Sequence, residues 1–153
     1  MAITKEMLTA SSPLFIRTDF SSEAAWAQIR DEGTATVQID GGELAGGYDA
    51  APNVLVIDNR EFDGLTTEQL LDLPWPDCET EGGPDYFFVV DGETVRRPEH
   101  PILALSLYME KGESFRVIPK AMAMVEMNLS IANLSFSDYG QQGDGIERYS
   151  GIL

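Results

Sequence analysis

The chain predicts an α/β domain, a single-domain sandwich built on a mixed, partly parallel sheet with short helices. Three observations carry that reading. Apolar, β-branched runs alternate with short helical stretches through the first half, the pattern of strand–helix–strand units that favours parallel pairing. In the second half the strand-like runs lie close together with only turn residues between them, which favours an antiparallel edge. Residues 115–136 (FRVIPKAMAMVEMNLSIANLSF) read as a strand, a turn at Pro119 and a helix apolar on nearly every side, as expected of an element buried between others.

The elements follow in order. Residues 1–12 read as a frayed lead-in with no apolar core of a signal peptide. Leu14 to Arg17 is a first strand. Thr18 to Ser22 supplies turn and N-cap residues, and Glu23 to Arg30 follows as a helix with Ala25, Trp26 and Ile29 inward and Gly33 as its C-cap. Thr34 to Ile39 alternates as a strand, and 41–51, with Gly-Gly twice, is a loop that lacks the spacing of a phosphate or dinucleotide site. Asn53 to Asp58 is a continuous apolar run, as for a strand buried on both faces. Thr66 to Leu73 is a helix opened by a Thr66/Gln69 capping box and stopped by Pro74-Trp75-Pro76. Asp77 to Asp85 is an acidic loop. Tyr86 to Val90 is a buried strand, with Asp91-Gly92 as a hairpin turn into Thr94-Val95-Arg96. Pro101 to Leu107 and Ser114 to Ile118 pair antiparallel through Lys111-Gly112. A helix break is expected between Asn128 and Asn133, where Ser and Asn compete for backbone hydrogen bonds. Residues 140–153 read as a peripheral tail, and no linker or repeat divides residues 1–153.

Charge narrows the function classes. The 153 residues carry 10 basic and 26 acidic side chains, a net charge of −16. That excludes phosphate-led nucleic-acid binding and attraction to anionic membranes. It permits steering toward a basic protein partner. The acid is densest from Asp58 to Glu81, where only Arg60 opposes it. Cys78 is the single cysteine, which suits a reducing cytoplasm, and the acids beside it discourage a thiolate. No apolar run is long enough to span a membrane.

Four runs taken together resemble a family of small bacterial proteins known only as a domain of unknown function. They are Arg17-Thr18-Asp19-Phe20 with Trp26 after it, Phe62-Asp63-Gly64-Leu65-Thr66, Pro98-Glu99-His100-Pro101, and Val125-Glu126 followed by Asn128-Leu129-Ser130-Ile131-Ala132-Asn133 and Phe136. Met127 departs from the Asn-Asn-Leu-Ser of that pattern. The resemblance covers roughly Pro13 to Tyr139. It implies a shared fold and no established activity.

The chemistry-bearing residues are weighed singly. Asp19, Asp58 and Asp91 each follow a strand. Parallel strands would gather them at one edge, where open α/β sheets bind ligands and where carboxylates can hold Mg²⁺. Acids in such places also cap helices and close turns. Asn59 to Gly64 opens like a calcium loop but reaches Leu70 where a bidentate Glu is required. His100, the single histidine, has no nucleophile or orienting group at a recognisable spacing. Arg17, Arg116 and Lys120 are either ion-paired or the walls of a small anion pocket. Met122, Met124 and Met127 read as core. Glu126, Asn128 and Asn133 need partners if buried. Trp75 and Tyr86 flank the acidic loop and would be anchors if that surface docks a partner. The expectation is a non-enzymatic cytoplasmic protein-binding module without a cofactor, in one form an immunity-like inhibitor of a cationic target. The alternatives are a small-ligand or metal-binding protein or enzyme using the strand-end acids, and a self-associating protein with the Met-rich helix at a dimer interface.

Overall fold

The computed structural model describes residues 3–40, 47–108, 111–131, 135, 136 and 138. Seven strands are present among them: β1 (Leu14–Arg17), β2 (Val37–Asp40), β3 (Gly47–Ala50), β4 (Leu55–Ile57), β5 (Tyr86–Val90), β6 (Ile102–Ser106) and β7 (Ser114–Val117). The α-helices are α1 (Glu23–Gly33), α2 (Thr67–Leu71), α3 (Gly92–Arg96) and α4 (Met122–Ser130), with 3₁₀ turns at Lys5–Leu8, Arg60–Phe62 and Pro119–Ala121. Five strands form one sheet in the order β4-β1-β5-β6-β7. β1 pairs parallel with β4 and with β5, whereas β5–β6 and β6–β7 are antiparallel. The partly parallel sheet with an antiparallel edge is the predicted architecture. β2 and β3 form a separate antiparallel ribbon. β3 occupies part of the span expected as loop, and 41–46 lie outside the described residues.

Both faces of the sheet are covered. Because side chains alternate along a strand, Phe15 of β1 joins Trp26, Ile29, Phe88, Val117, Met122 and Val125 on one face, under α1 and α4. Leu14 and Ile16 join Phe62, Leu70, Phe87 and Leu105 on the other. Leu8 is buried on this second face, so the stretch expected to fray is instead a 3₁₀ turn packed on the sheet. Trp26 lies 6.1 Å from the Phe15 ring centroid. Its buried Nε1 has no acceptor among the described residues, a cost of about 1–3 kcal/mol that the large apolar contact of the ring offsets.

Local chemistry explains the starts of the helices. The Ser22 side chain accepts from Ala25 N at 3.1 Å to cap α1. The Thr66/Gln69 capping box opens α2 as predicted. Gly33 corrects its expected role: it lies within α1, and Thr34 is the C-cap. A Cβ there would come within 3.3 Å of both Phe15 and Ile102, so glycine serves the close approach of helix to sheet. The Asp91-Gly92 hairpin is also corrected. Asp91 accepts from Thr94 N while Thr94 Oγ1 accepts from Asp91 N, and this capping box starts α3 where a strand was expected. β4 is an edge strand with Leu55 46% exposed, not a strand buried on both faces. α4 ends at Ser130, inside the expected break, and Asn133 lies outside the described residues. Met122 is fully buried; Met124 and Met127 are only partly so.

The acidic loop is pinned by Gly83, whose N donates to Asp77 O at 3.0 Å. A Cβ at Gly83 would sit 1.8 Å from the carbonyl oxygen of Pro76. Gly83→Ala is therefore expected to destabilise the protein by about 1–3 kcal/mol, read as a lower denaturant midpoint. Gly82→Ala is the informative comparison. Its φ of +68° also disfavours a side chain, but its Cβ would meet nothing within 4 Å, so the smaller loss is expected there.

Candidate ligand crevice at the parallel strand ends

The C-terminal ends of β4, β1 and β5 lie side by side because the three strands run parallel. The chain leaves β1 toward the face that α1 covers and leaves β4 toward the face that Phe62 and Leu70 cover. Neighbouring strands whose connections depart to opposite faces open a crevice between their carboxyl ends, the usual ligand position in open α/β sheets. An open crevice of ≈ 430 Å³ lies there, lined by Thr18, Asp19, Phe20, Ser21, Arg60, Asp63 and Gly64. Its two walls are joined by Gly64 N donating to Thr18 O at 2.9 Å, with Gly64 at φ +76°.

Arg17, the last residue of β1, precedes the crevice residue Thr18 and does not itself line the crevice. It is 2% exposed, and a guanidinium so far from water must be neutralised. Nη2 donates to Glu23 Oε1 at 2.8 Å, Nη1 to Asp58 Oδ1 at 3.2 Å, and Nε to the Asp19 carbonyl at 3.3 Å. Its Cζ lies 4.2 Å from the Phe20 ring centroid and 5.2 Å from that of Trp26. Burial alone would favour losing the proton, but the hydrogen bonds that Arg17 donates to Glu23 and Asp58 outweigh it and the guanidinium pKa is pushed up. Arg116 makes a fork to Asp91 at 3.0 and 2.8 Å, a third bond to Pro101 O at 3.1 Å, and an ion pair with Glu93 at 3.3 Å. His100, at φ 52°, donates from Nδ1 to Thr94 O at 2.8 Å and helps hold the turn that presents Pro101.

The three strand-end acids do gather at one edge, each with its own partner. Asp58 pairs with Arg17, Asp91 with Arg116, and Asp19 accepts from Ser21 N at 2.8 Å. Among the described residues no group of three or more His, Cys, Asp or Glu is arranged to hold a metal ion. The ion-pair alternative foreseen for Arg17 and Arg116 is the observed one. Arg60, by contrast, has no acid within ion-pair distance among the described residues; its Cζ lies 4.9 Å from the Phe20 ring centroid. Arg96 is likewise unpaired. A Cβ on Gly92 would lie 2.6 Å from Arg96 Nη1 and 3.3 Å from Asp19 Oδ2, which brings α3 to the crevice rim.

The other predicted contacts lie elsewhere. Tyr86, Glu126 and Asn128 are buried, the first two at the opposite edge of the sheet. Trp75 is half-buried, stacked 4.7 Å from Phe87 and donating from Nε1 to Leu70 O at 2.8 Å. Neither Trp75 nor Tyr86 stands out from the surface as an anchor. Phe20, Glu23, Arg60 and Arg96 were not singled out as site residues from the sequence. Arg60 was nonetheless visible there as the lone base in the acid-rich span. The Cys78 thiol is pushed up by burial and then by Asp85, Asp77 and Glu79, in line with the expected poor nucleophile.

The family described as a domain of unknown function (DUF6924) matches residues 12–152. The chain belongs to this family. No curated protein and no solved structure matches it. The runs that carried the resemblance divide between the two sheet edges: Arg17–Phe20, Phe62–Thr66 and Pro98–Pro101 at the crevice side, Val125–Asn128 at the other. Among the described residues no helix is long and apolar enough to cross a membrane.

Asp91 carries a pH prediction. Burial would raise its carboxyl, but the Arg116 fork and the Thr94 N–H outweigh burial and hold it below the ordinary carboxylate range. A depressed carboxylate contributes stability that is present above its unfolded pKa of about 3.9 and is lost as pH falls through the folded value. Asp91→Asn keeps a capping side chain and removes the charge. It is expected to cost about 1.5–3 kcal/mol near pH 7 and to flatten the fall in stability below pH 4, read from denaturant melts across pH 2–7.

Proposed function

We propose that this protein binds a small polar ligand in the crevice between the ends of β1 and β4. The ligand carries an anionic group that meets Arg60 and a donor group that meets Asp19 or Asp63. The observation that carries this reading is Arg60 at the switch point, unpaired among the described residues, in a chain of net charge −16 whose neighbouring Arg17 and Arg116 both hold carboxylates. An arginine left open beside an aromatic ring has its planar fork available for a carboxylate or phosphate. Asp63 is exposed on the crevice wall, and Asp19 leaves Oδ2 toward Gly92. The lone free thiol suits work in a reducing cytoplasm.

A thermal-shift panel of small zwitterions, carboxylates and phosphate esters tests this. A true ligand at a hundredfold excess over its Kd adds about 2.7 kcal/mol, a rise of several degrees in Tm. Arg60→Ala is expected to remove the shift while leaving the ligand-free Tm within about 2 °C, since an exposed surface change costs little. A panel that moves nothing, or a shift that survives Arg60→Ala, overturns the reading.

A second reading has its own observation. Glu61, Asp63, Glu68, Asp72, Asp77, Glu79 and Glu81 are all exposed, so these acids of the span lie on the surface, where Glu81 pairs with Lys5. Such a surface favours a basic protein partner bound by charge complementarity. With Trp75 and Tyr86 turned inward, that binding is expected to lack aromatic anchors and to be released by moderate salt. Capture that resists 0.5 M salt would count against it.

A further inference from the structure

At the edge opposite the crevice, where β1, β4 and β5 begin, lies a cavity of ≈ 270 Å³. Pro13, Asn53 and Tyr86 bring the strand starts to it, Gly83 and Asp85 the acidic loop, and Glu126 and Ser130 the helix α4. Glu126 is 5% exposed. Oε1 accepts from Asn53 N at 2.8 Å and Oε2 accepts from the Tyr86 hydroxyl at 3.0 Å. Both donors are neutral. Burial beside this carboxylate and hydrogen bonding to it push the Tyr86 hydroxyl pKa well up, so Tyr86 stays a donor.

Buried charges in proteins are paired or coordinate a cation. Among the described residues no salt bridge reaches Glu126, and no Lys, Arg or His lines the cavity. The second charged residue on its wall, Asp85, has the same sign. The remaining polar lining comes from Ser11, Ser12 and Ser130, with the backbone of Gly82 and Gly83. The described residues of the wall thus supply no counter-charge, and the cavity has room for one to arrive as an occupant. We propose that this cavity binds a primary alkylammonium group, with Glu126 as its buried counter-ion and Asp85 at the mouth. Three N–H donors on a short alkyl stem suit the chemistry: one toward Glu126 and the others toward hydroxyl or carbonyl oxygens. The group comes either from a free amine or from a lysine side chain, and it is independent of the crevice reading.

The test is a titration of the full chain followed by amide NMR in 150 mM NaCl, which screens diffuse attraction to the acidic surface. The probes are 1,4-diaminobutane, Nα-acetyl-lysine N-methylamide and, as a neutral control, 1,4-butanediol. Saturable shifts at Asn53, Tyr86 and Glu126 with at least one ammonium probe, and none with the diol, are expected. Response to the diamine alone assigns a free amine; response to the lysine derivative alone assigns a protein side chain. Glu126→Gln is expected to weaken binding at least tenfold. Asp85→Asn, at an exposed position, keeps the test open if the first variant fails to fold and is expected to weaken binding severalfold. Shifts spread over Glu61 to Glu81 without saturation, an equal response to the diol, or affinity unchanged in a folded variant would each overturn the proposal.

Discussion

The constraint on which the rest depends is the burial of Arg17 at the end of the central parallel strand. A guanidinium 2% exposed costs several kcal/mol in desolvation unless its donors are met. Meeting them engages three parts of the chain at once: the Asp19 carbonyl after β1, Glu23 at the first turn of α1, and Asp58 after β4. Phe20 and Trp26 give the guanidinium aromatic contacts. Its carboxylates remain largely hydrated, 72% and 46% exposed, so they retain much of their hydration while neutralising it. One cation thus fixes where β1 ends, how α1 departs and how β4 sits beside β1.

The consequence is a division of labour between two edges. At the carboxyl ends of the parallel strands, Arg17 and Arg116 lock most of the acids in place, and Arg60 stands apart beside Phe20. At the amino ends no cation lies on the cavity wall among the described residues, and a buried carboxylate is held by a backbone N–H and a phenol. The same acidic composition therefore produces opposite electrostatics at the two ends of one sheet.

Much of this was legible in the residues, because much of it is local. The Tyr86–Val90 run, the capping box of α2 and the antiparallel pairing of β6 with β7 follow from period, cap chemistry and turns within a few residues of each element. The misreadings also have local causes. Asp-Gly signals a hairpin, but Asp91 and Thr94 are spaced as a capping box too, and only the packing of α3 against the sheet chose between them. The apolar run of β4 cannot announce that β1 is its sole neighbour in the sheet, which leaves Leu55 at the edge. Trp75 beside an acidic loop looked available; the Phe87 ring and the Leu70 carbonyl turned it inward.

The sequence by itself determined the fold class, the family, the acidic surface and the identity of most strands, since these rest on composition and on spacing along the chain. It also brought Asp19, Asp58 and Asp91 to strand ends. Tertiary structure decided what those acids do. Whether a carboxylate is free, paired or capping depends on which cation the sheet order delivers to it, and Arg116 reaches Asp91 across 25 residues while Asp58 reaches Arg17 across 41. Long-range charge pairing of that kind leaves no periodic trace in a chain. For the same reason Glu126 could be marked as odd from its apolar helix, whereas its neutral partners and the cavity beside it required the folded molecule.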